Sequence, residues 1–308
     1  MTSIFDGLSD ASKGAVFLVS GISIFGFSDN LTLLVSVTVS VGQFHFSRSL
    51  IAIFMVIIAA RLFGMPVLAK LWNPIAARTV FMVTSMLLYF GAMPMMPIAE
   101  AGAGLFTSPI FVLLFSAILF SERIGIRRIL AVAVGSLGVW CVLQPGAEGV
   151  TIYQLMPILA GACYAIGSII TYRYLQDESA FAILLSFLLA IGVSGALITS
   201  VFTLFPASDD LIATAPFLFS GWQTVDTHYW LYLFIIALGA TVALSLMTRA
   251  YQLAQTSYAA IFEYAYLLSV SYFSWQFWDI TPNALGVVGI VFIIASGVII
   301  TLAQRKAI

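Results

Sequence analysis

Ten runs of about 20 mainly apolar residues follow one another along this chain, separated by Pro, Gly, Asn or charged residues. A helix needs about 20 such residues to cross ~30 Å of hydrocarbon. The chain has 308 residues, of which 62% are hydrophobic and only 8% are charged, far from the composition of soluble globular proteins. We therefore predict an all-α polytopic membrane protein with ten transmembrane helices, which excludes nucleic-acid-binding proteins and cytosolic enzymes. The predicted spans are approximately 14–30, 42–63, 75–95, 97–120, 126–144, 151–174, 181–205, 229–252, 256–277 and 283–303.

The positions of the basic residues predict how these helices are oriented, because Lys and Arg accumulate in short cytoplasmic loops. Eleven of the 12 basic residues fall on one side of the membrane under this span count, including Arg78, which we assign to the connection between helices 2 and 3. The opposite loops carry acidic residues and no Lys or Arg. We predict that both termini are cytoplasmic, that residues 1–12 form a short tail at the membrane surface, and that the protein lies in the inner (plasma) membrane.

A polar turn over residues 144–149 separates two sets of five predicted spans, 13–144 and 151–303. Because five is odd, a duplicated second half would enter the membrane in the opposite direction, as in many alternating-access transporters. Residues 101–120 and 257–276 share an Ala- and aromatic-rich pattern at the same place in each half. The sequence therefore predicts two inverted five-helix repeats.

Specific motifs in the first half resemble a known family. They are the stretch 97–111 with its Ser108-Pro109 pair, the turn Leu119-Phe120-Ser121-Glu122-Arg123, Phe25-Gly26-Phe27-Ser28-Asp29, and Gln43-Phe44-His45-Phe46-Ser47-Arg48-Ser49. Together with the glycines of helix 5 they resemble the drug/metabolite transporter (DMT) superfamily, EamA type. Ser121 departs from the usual Gly, Leu33 stands where such relatives often have Lys, and the second-half turn keeps only Trp278-Asp279. The resemblance covers roughly residues 14–303 and implies a ten-helix inverted-repeat transporter of small organic metabolites, with Pro109 as a hinge or gating residue.

Two ionisable side chains lie deep inside predicted spans, where each costs at least ~2.5–3.5 kcal/mol. Arg48 can pair with Asp29 and lock helices 1 and 2 together, or its guanidinium can bind a substrate carboxylate or phosphate. Glu263 can be a neutral acid hydrogen-bonded to a neighbouring Tyr or Ser. Alternatively, it binds an ammonium, quaternary ammonium or sulfonium group beside aromatic rings, or carries a proton.

The residues around these two charges complete the predicted site. Tyr258, Phe262 and Tyr266 share a helical face with Glu263 to within a turn, although aromatic residues also fill lipid-facing grooves. His45 lies on nearly the same face as Arg48, and Glu100 lies near the outer start of helix 4, where packing or helix-terminus roles are alternatives. The candidate substrate-binding residues are Glu263, Arg48, Tyr258, Phe262, Tyr266, His45 and Glu100.

These features predict a secondary active transporter that moves a small polar, zwitterionic or cationic metabolite by alternating access. Amino-acid-like, amine and S-adenosylmethionine-like solutes are the expected classes, and proton coupling is a hypothesis. The partners are this solute and the lipid bilayer, with no nucleic acid, metal or cofactor expected; monomer and homodimer both stay open. The alternatives are a channel and an intramembrane enzyme. The enzyme is considered because Gly192-Val193-Ser194-Gly195 resembles the nucleophile motif of rhomboid proteases, although His228 falls at a span boundary and not inside a partner helix.

Overall fold

Every regular element in the described part of the chain is a helix. The computed structural model describes residues 8–36, 38–96, 98–143, 152–279, 281 and 283–305. Two short 3₁₀ turns occur, at Met93–Met95 and Ala260–Tyr264. The α-helices are α1 (Asp10–Ser36), α2 (Val41–Leu62), α3 (Trp72–Ala92), α4 (Ile98–Leu105), α5 (Ser108–Phe120), α6 (Ile126–Leu143), α7 (Ile152–Tyr174), α8 (Ala180–Leu204), α9 (Asp209–Thr214), α10 (Pro216–Phe219), α11 (Thr227–Leu253), α12 (Thr256–Ala259), α13 (Ala265–Trp278) and α14 (Ala284–Arg305).

Helices occupy each of the predicted apolar runs, but two of the runs are interrupted. The fourth run is divided into α4 and α5, and the ninth into α12, the 3₁₀ turn Ala260–Tyr264 and α13. Within the described residues, six helices are long and apolar enough to cross a membrane by themselves: α1, α2, α3, α7, α8 and α11. The described part of the chain is thus helical throughout its regular structure and has the segments of a multi-pass membrane protein.

The helices α5 and α13 both end on a left-handed residue that is not glycine. Each is followed by a residue in the left-handed backbone region, Ser121 with φ 51° and Asp279 with φ 55°. Glycine is the usual residue at such a helix end because it has no Cβ to clash. Ser121 and Asp279 therefore occupy positions at which glycine would be favoured.

Four pairs of helices form the main packing contacts: α1 with α11, α3 with α7, α2 with α8, and α6 with α14. The α2–α8 contact is especially close, because a Cβ added at Gly195 would lie 2.5 Å from the carbonyl oxygen of Gly42. Close helix packing thus accounts for the glycine at position 195 of the protease-like motif. His228, the histidine considered with that motif, is exposed in the first turn of α11. Cys141 and Cys163 are free thiols.

The structure corrects one assignment made from the sequence. Arg78 does not lie in the connection between two helices: it lies about two turns into α3, and its side chain is 4% exposed. A single positive charge near the end of an apolar run is compatible with either place, so the sequence pattern alone is ambiguous. Arg78 is therefore an interior residue and carries no weight as an orientation signal.

The segment that follows α8 packs over the end of α2. It contains the short helices α9 and α10, and the side chain of Phe217 is buried. Gln43 and Gln223 exchange two hydrogen bonds of 2.8 Å, each between a side-chain amide and the backbone of the loop residue. These bonds hold the loop against α2.

Candidate functional site

A cavity of about 40 Å³ lies among the helices, with a largely aromatic and aliphatic wall. This volume corresponds to about three water molecules, so a metabolite would fit only if the surrounding helices moved apart. Among the lining residues that are described, only Asp29 and Arg78 are charged. The lining residues are Phe25, Asp29, Arg78, Met82, Met86, Tyr89, Phe90, Leu105, Phe106, Tyr164, Leu184, Phe187, Leu244, Met247, Thr248 and Tyr266.

Asp29 is held in this wall by two tyrosines. The hydroxyl groups of Tyr89 and Tyr266 each donate to Oδ2 of Asp29 at 2.8 Å, and the two hydroxyl oxygens are 3.0 Å apart. Asp29 comes from α1, Tyr89 from α3 and Tyr266 from α13. The buried carboxyl group therefore joins three helices at the cavity.

Arg48 does not form the ion pair with Asp29 that the sequence allows, since no ion pair within 4.0 Å joins the two in the described structure. Its Nη2 lies 3.1 Å from Nδ1 of His45, and its Cζ lies 5.0 Å and 5.1 Å from the ring centroids of Phe44 and Phe90. Cation–π contacts and the imidazole thus surround the guanidinium. Phe90, in turn, is part of the cavity wall.

Glu263 lies where the two interrupted helical runs meet. It belongs to the 3₁₀ turn between α12 and α13, and its side chain is fully buried. Ser108, the first residue of α5, donates its hydroxyl to Oε2, and the Tyr251 hydroxyl donates to Oε1. The hydrogen-bonded arrangement with a Tyr and a Ser is one of the alternatives that the sequence predicted.

The local sequence explains the interruption beside Ser108. Pro109 occupies the first turn of α5, where its missing N–H removes no helical hydrogen bond. Thr107, just before α5, donates its hydroxyl to the carbonyl oxygen of Gly104 at 2.7 Å. Backbone groups freed by such a break are tolerated at membrane depth only when protein or a polar cavity satisfies them.

The other predicted site residues are distributed around these groups. Tyr258 is buried, with its ring centroid 5.3 Å from that of the half-buried Phe262. His45 is fully buried against Arg48, and Glu100 lies outside the residues whose side chains are described. Of the predicted residues that the structure describes, Tyr266 is the one that lines the cavity.

Sequence reasoning missed the role of α3 in the cavity. Arg78, Met82, Met86 and Tyr89 all line it, at intervals of four, four and three residues. That spacing places side chains on one face of a helix. A search of the third apolar run for polar residues on one face would have found Arg78 and Tyr89.

Gly102 provides a test of the Asp29 arrangement. A Cβ at this position would lie 2.5 Å from Cε1 of Tyr266, whose ring is confined by Phe106 at 4.6 Å between centroids. We expect Gly102→Ala to displace Tyr266 from Asp29 and to destabilise the protein by about 1–3 kcal/mol, the usual cost of overpacking. Thermal unfolding of the purified protein measures this. Gly125→Ala is the control, because nothing lies within 4 Å of its added Cβ; equal stability of the two variants would contradict the expectation.

A second polar cluster joins the ends of several helices. Oε1 of Glu122 accepts hydrogen bonds from Arg128 at 3.0 Å, from Ser257 at 2.8 Å and from Gln255. Arg173 lies 3.6 Å from Oε2 of the same carboxylate. Glu122 therefore pairs with two arginines, and the cluster connects residues from both halves of the chain.

Comparisons with known proteins show similarity to transporters and support a multi-pass protein of the inner membrane. Residues 12–144 match the pattern described as the EamA-like transporter family. A riboflavin transporter of Brucella anthropi is 26% identical over 192 residues, and the match spans 62% of this chain and 63% of that protein. The pseudopaline exporter CntI of Pseudomonas aeruginosa is 22% identical over 295 residues, 95% of this chain and 97% of the exporter. An S-adenosylmethionine uptake transporter of Rickettsia bellii is 23% identical over 234 residues, 74% of each chain.

One solved crystal structure supports the fold. It superposes with a TM-score of 0.77 at 18% sequence identity, covering 96% of this chain and 99% of the other. At this identity the likeness concerns the fold alone.

Proposed function

From the match of residues 12–144 to the EamA-like transporter family we propose that the chain is a secondary active transporter of a small zwitterionic or cationic metabolite. In this proposal the solute binds between the two halves, which alternate between outward- and inward-facing states. The observation that carries the proposal is the meeting of two interrupted helical runs at Glu263 and Ser108.

We also propose ten membrane-spanning helices, arranged as inverted repeats over residues 13–144 and 151–303 with both termini cytoplasmic. Three features of the helices support this arrangement. The contact of α1 with α11 has its counterpart in that of α7 with α3. The interrupted run α4–α5 corresponds to α12–α13. Both of these runs end on a left-handed residue, Ser121 and Asp279.

The substrate class follows from the charges and rings near the centre. Glu263 and Asp29 are buried carboxyl groups, and aromatic residues make up much of the cavity wall. A carboxylate beside aromatic faces suits an ammonium or sulfonium group. The names of the relatives include an S-adenosylmethionine transporter, which fits this class. Three roles stay predictions. They are gating by Pro109, proton coupling by Glu263, and contacts with substrate by Arg48, His45, Tyr258, Phe262, Tyr266 and Glu100.

Uptake into proteoliposomes tests the proposal. The purified protein is reconstituted and offered radiolabelled S-adenosylmethionine, riboflavin, amino acids, betaines and polyamines, with protein-free liposomes as the control. We expect saturable uptake of at least one zwitterionic or cationic member. If the protein transports none of them, or riboflavin alone, the proposed substrate class is wrong.

Counterflow separates a transporter from the channel alternative. Vesicles preloaded with unlabelled solute should accumulate labelled solute transiently, because an alternating carrier exchanges one molecule for another. A channel equilibrates the solute without such an overshoot. Absence of counterflow for a solute that enters the vesicles would therefore contradict alternating access.

The Glu122 cluster is proposed to close the cytoplasmic side. Replacing Glu122 with Ala leaves Arg128 and Arg173 without their shared carboxylate, so we expect more time in an inward-open state. A cysteine introduced at Ser257 reports this change through its labelling rate with a membrane-impermeant thiol reagent in inside-out vesicles. We expect Ser257→Cys to react several-fold faster in the Glu122→Ala background, and an unchanged rate would contradict the closing role.

A further inference from the structure

We propose that Arg78 is the residue that binds an anionic group of the substrate, a carboxylate, in the central cavity. The inference rests on the proposed transport function and specifies its substrate: a solute that carries a carboxylate as well as a cationic group. None of the sequence motifs points to this residue, because it lies close to the start of an apolar run.

The first observation is that Arg78 is buried without a counter-ion. Its side chain is 4% exposed and lines the cavity. Among the described residues no carboxylate forms an ion pair with it within 4.0 Å. A buried charge without an opposite charge is costly, so natural proteins rarely keep one unless it has a function.

The second observation is that its hydrogen-bonding capacity is only partly used. Nε donates to Oγ1 of Thr171 at 2.8 Å, whereas Nη1 is buried and has no hydrogen-bond partner. The Nε contact orients the planar guanidinium. The unused N–H groups can form the paired hydrogen bonds to a carboxylate for which arginine is suited.

The surroundings favour an anion at this point. Tyr164 lines the same cavity and carries a hydroxyl group that can donate a hydrogen bond to an anion. Thr248 is a second buried hydroxyl-bearing residue in the wall. Arg78 is not needed to satisfy the hydroxyl group of Thr171. That hydroxyl also donates to the carbonyl oxygen of Gly167 at 2.9 Å, so it has a hydrogen-bond partner without the arginine.

The opposite charge in the wall is Asp29 of α1, whose carboxyl group accepts a hydrogen bond from Tyr89 of α3. Tyr89 lies eleven positions after Arg78 in the sequence, a rise of about 16 Å along the helix. Arg78 and the tyrosine that holds Asp29 thus lie at different levels of α3. This separation favours an elongated solute with its carboxylate at Arg78 and its cationic group nearer to Asp29.

Matched pairs of solutes test the inference. S-adenosylmethionine is compared with its decarboxylated form, lysine with cadaverine, and arginine with agmatine, each in proteoliposome uptake. We expect the wild type to prefer the carboxylate-bearing member of a transported pair by about tenfold or more, the value of one charged hydrogen-bonded contact. Arg78→Gln should abolish the preference, whereas Arg61→Gln, at an exposed position in the last turn of α2, should keep it.

Thermal unfolding of the ligand-free protein gives an independent measurement. Removing an uncompensated buried charge should leave the Tm of Arg78→Gln equal to or above that of the wild type. A Tm well below the wild type that Arg78→Lys restores would show a structural cation and overturn the inference, as would a carboxylate preference that survives in Arg78→Gln. Failure of the wild type to transport any of these solutes would instead contradict the proposed function, and the Tm comparison would still decide the role of Arg78.

Discussion

Glu263→Gln is expected to reduce solute uptake by at least about tenfold while the protein remains folded. The substitution removes the negative charge that we propose acts on the solute or on a proton, and tenfold is the effect of losing one interaction worth about 1.4 kcal/mol. The hydroxyls of Ser108 and Tyr251, which now donate to Glu263, can each donate or accept, so an amide can occupy the same place. Initial rates of uptake into proteoliposomes measure the effect.

The control for this experiment is Asp210→Asn, which removes one negative charge at an exposed position in α9. It should transport at the wild-type rate. An imposed proton gradient adds a second measurement: if Glu263 carries the coupling proton, the gradient accelerates uptake by the wild type and not by Glu263→Gln. Wild-type transport by Glu263→Gln would rule out a role for its charge.

Gly195→Ala should destabilise the protein by about 1–3 kcal/mol or more. Its added Cβ would lie 2.5 Å from the carbonyl oxygen of Gly42 and 2.9 Å from the backbone nitrogen of Phe46. Backbone atoms cannot turn aside as a flexible side chain can, so α2 would have to move away from α8. This shift would also displace Arg48 and His45, which α2 carries. We therefore expect Gly195→Ala to impair both stability and transport.

Thermal unfolding in detergent compares Gly195→Ala with Gly125→Ala, whose added Cβ meets nothing within 4 Å. The two substitutions are chemically identical, so any difference between them reports the helix contact. If both variants unfolded at the wild-type temperature, α2 and α8 would be farther apart than the 2.5 Å contact at Gly195 requires.

Local composition was enough to predict most of the helices. The apolar runs agree with the helices because a chain in lipid must satisfy its backbone hydrogen bonds internally, and a helix does so within each run. Glu263 was identified for the same reason, as a rare charge in an apolar run. Its partner Ser108 was not, since the two residues are 155 positions apart and no pattern in one segment specifies contact with another.

Arg78 and Arg48 also show which features of the site the sequence could not predict. Arg48 was a predicted site residue because it lies deep in an apolar run, and Arg78 was assigned to a loop because it lies near the start of one. The structure surrounds Arg48 with aromatic rings and places Arg78 in the cavity wall. The sequence by itself determined that the chain is a multi-pass helical membrane protein, because hydropathy and length act within single segments. Only the tertiary structure decided which polar groups meet, because that depends on how helices distant in sequence pack and on which face of each helix points inward.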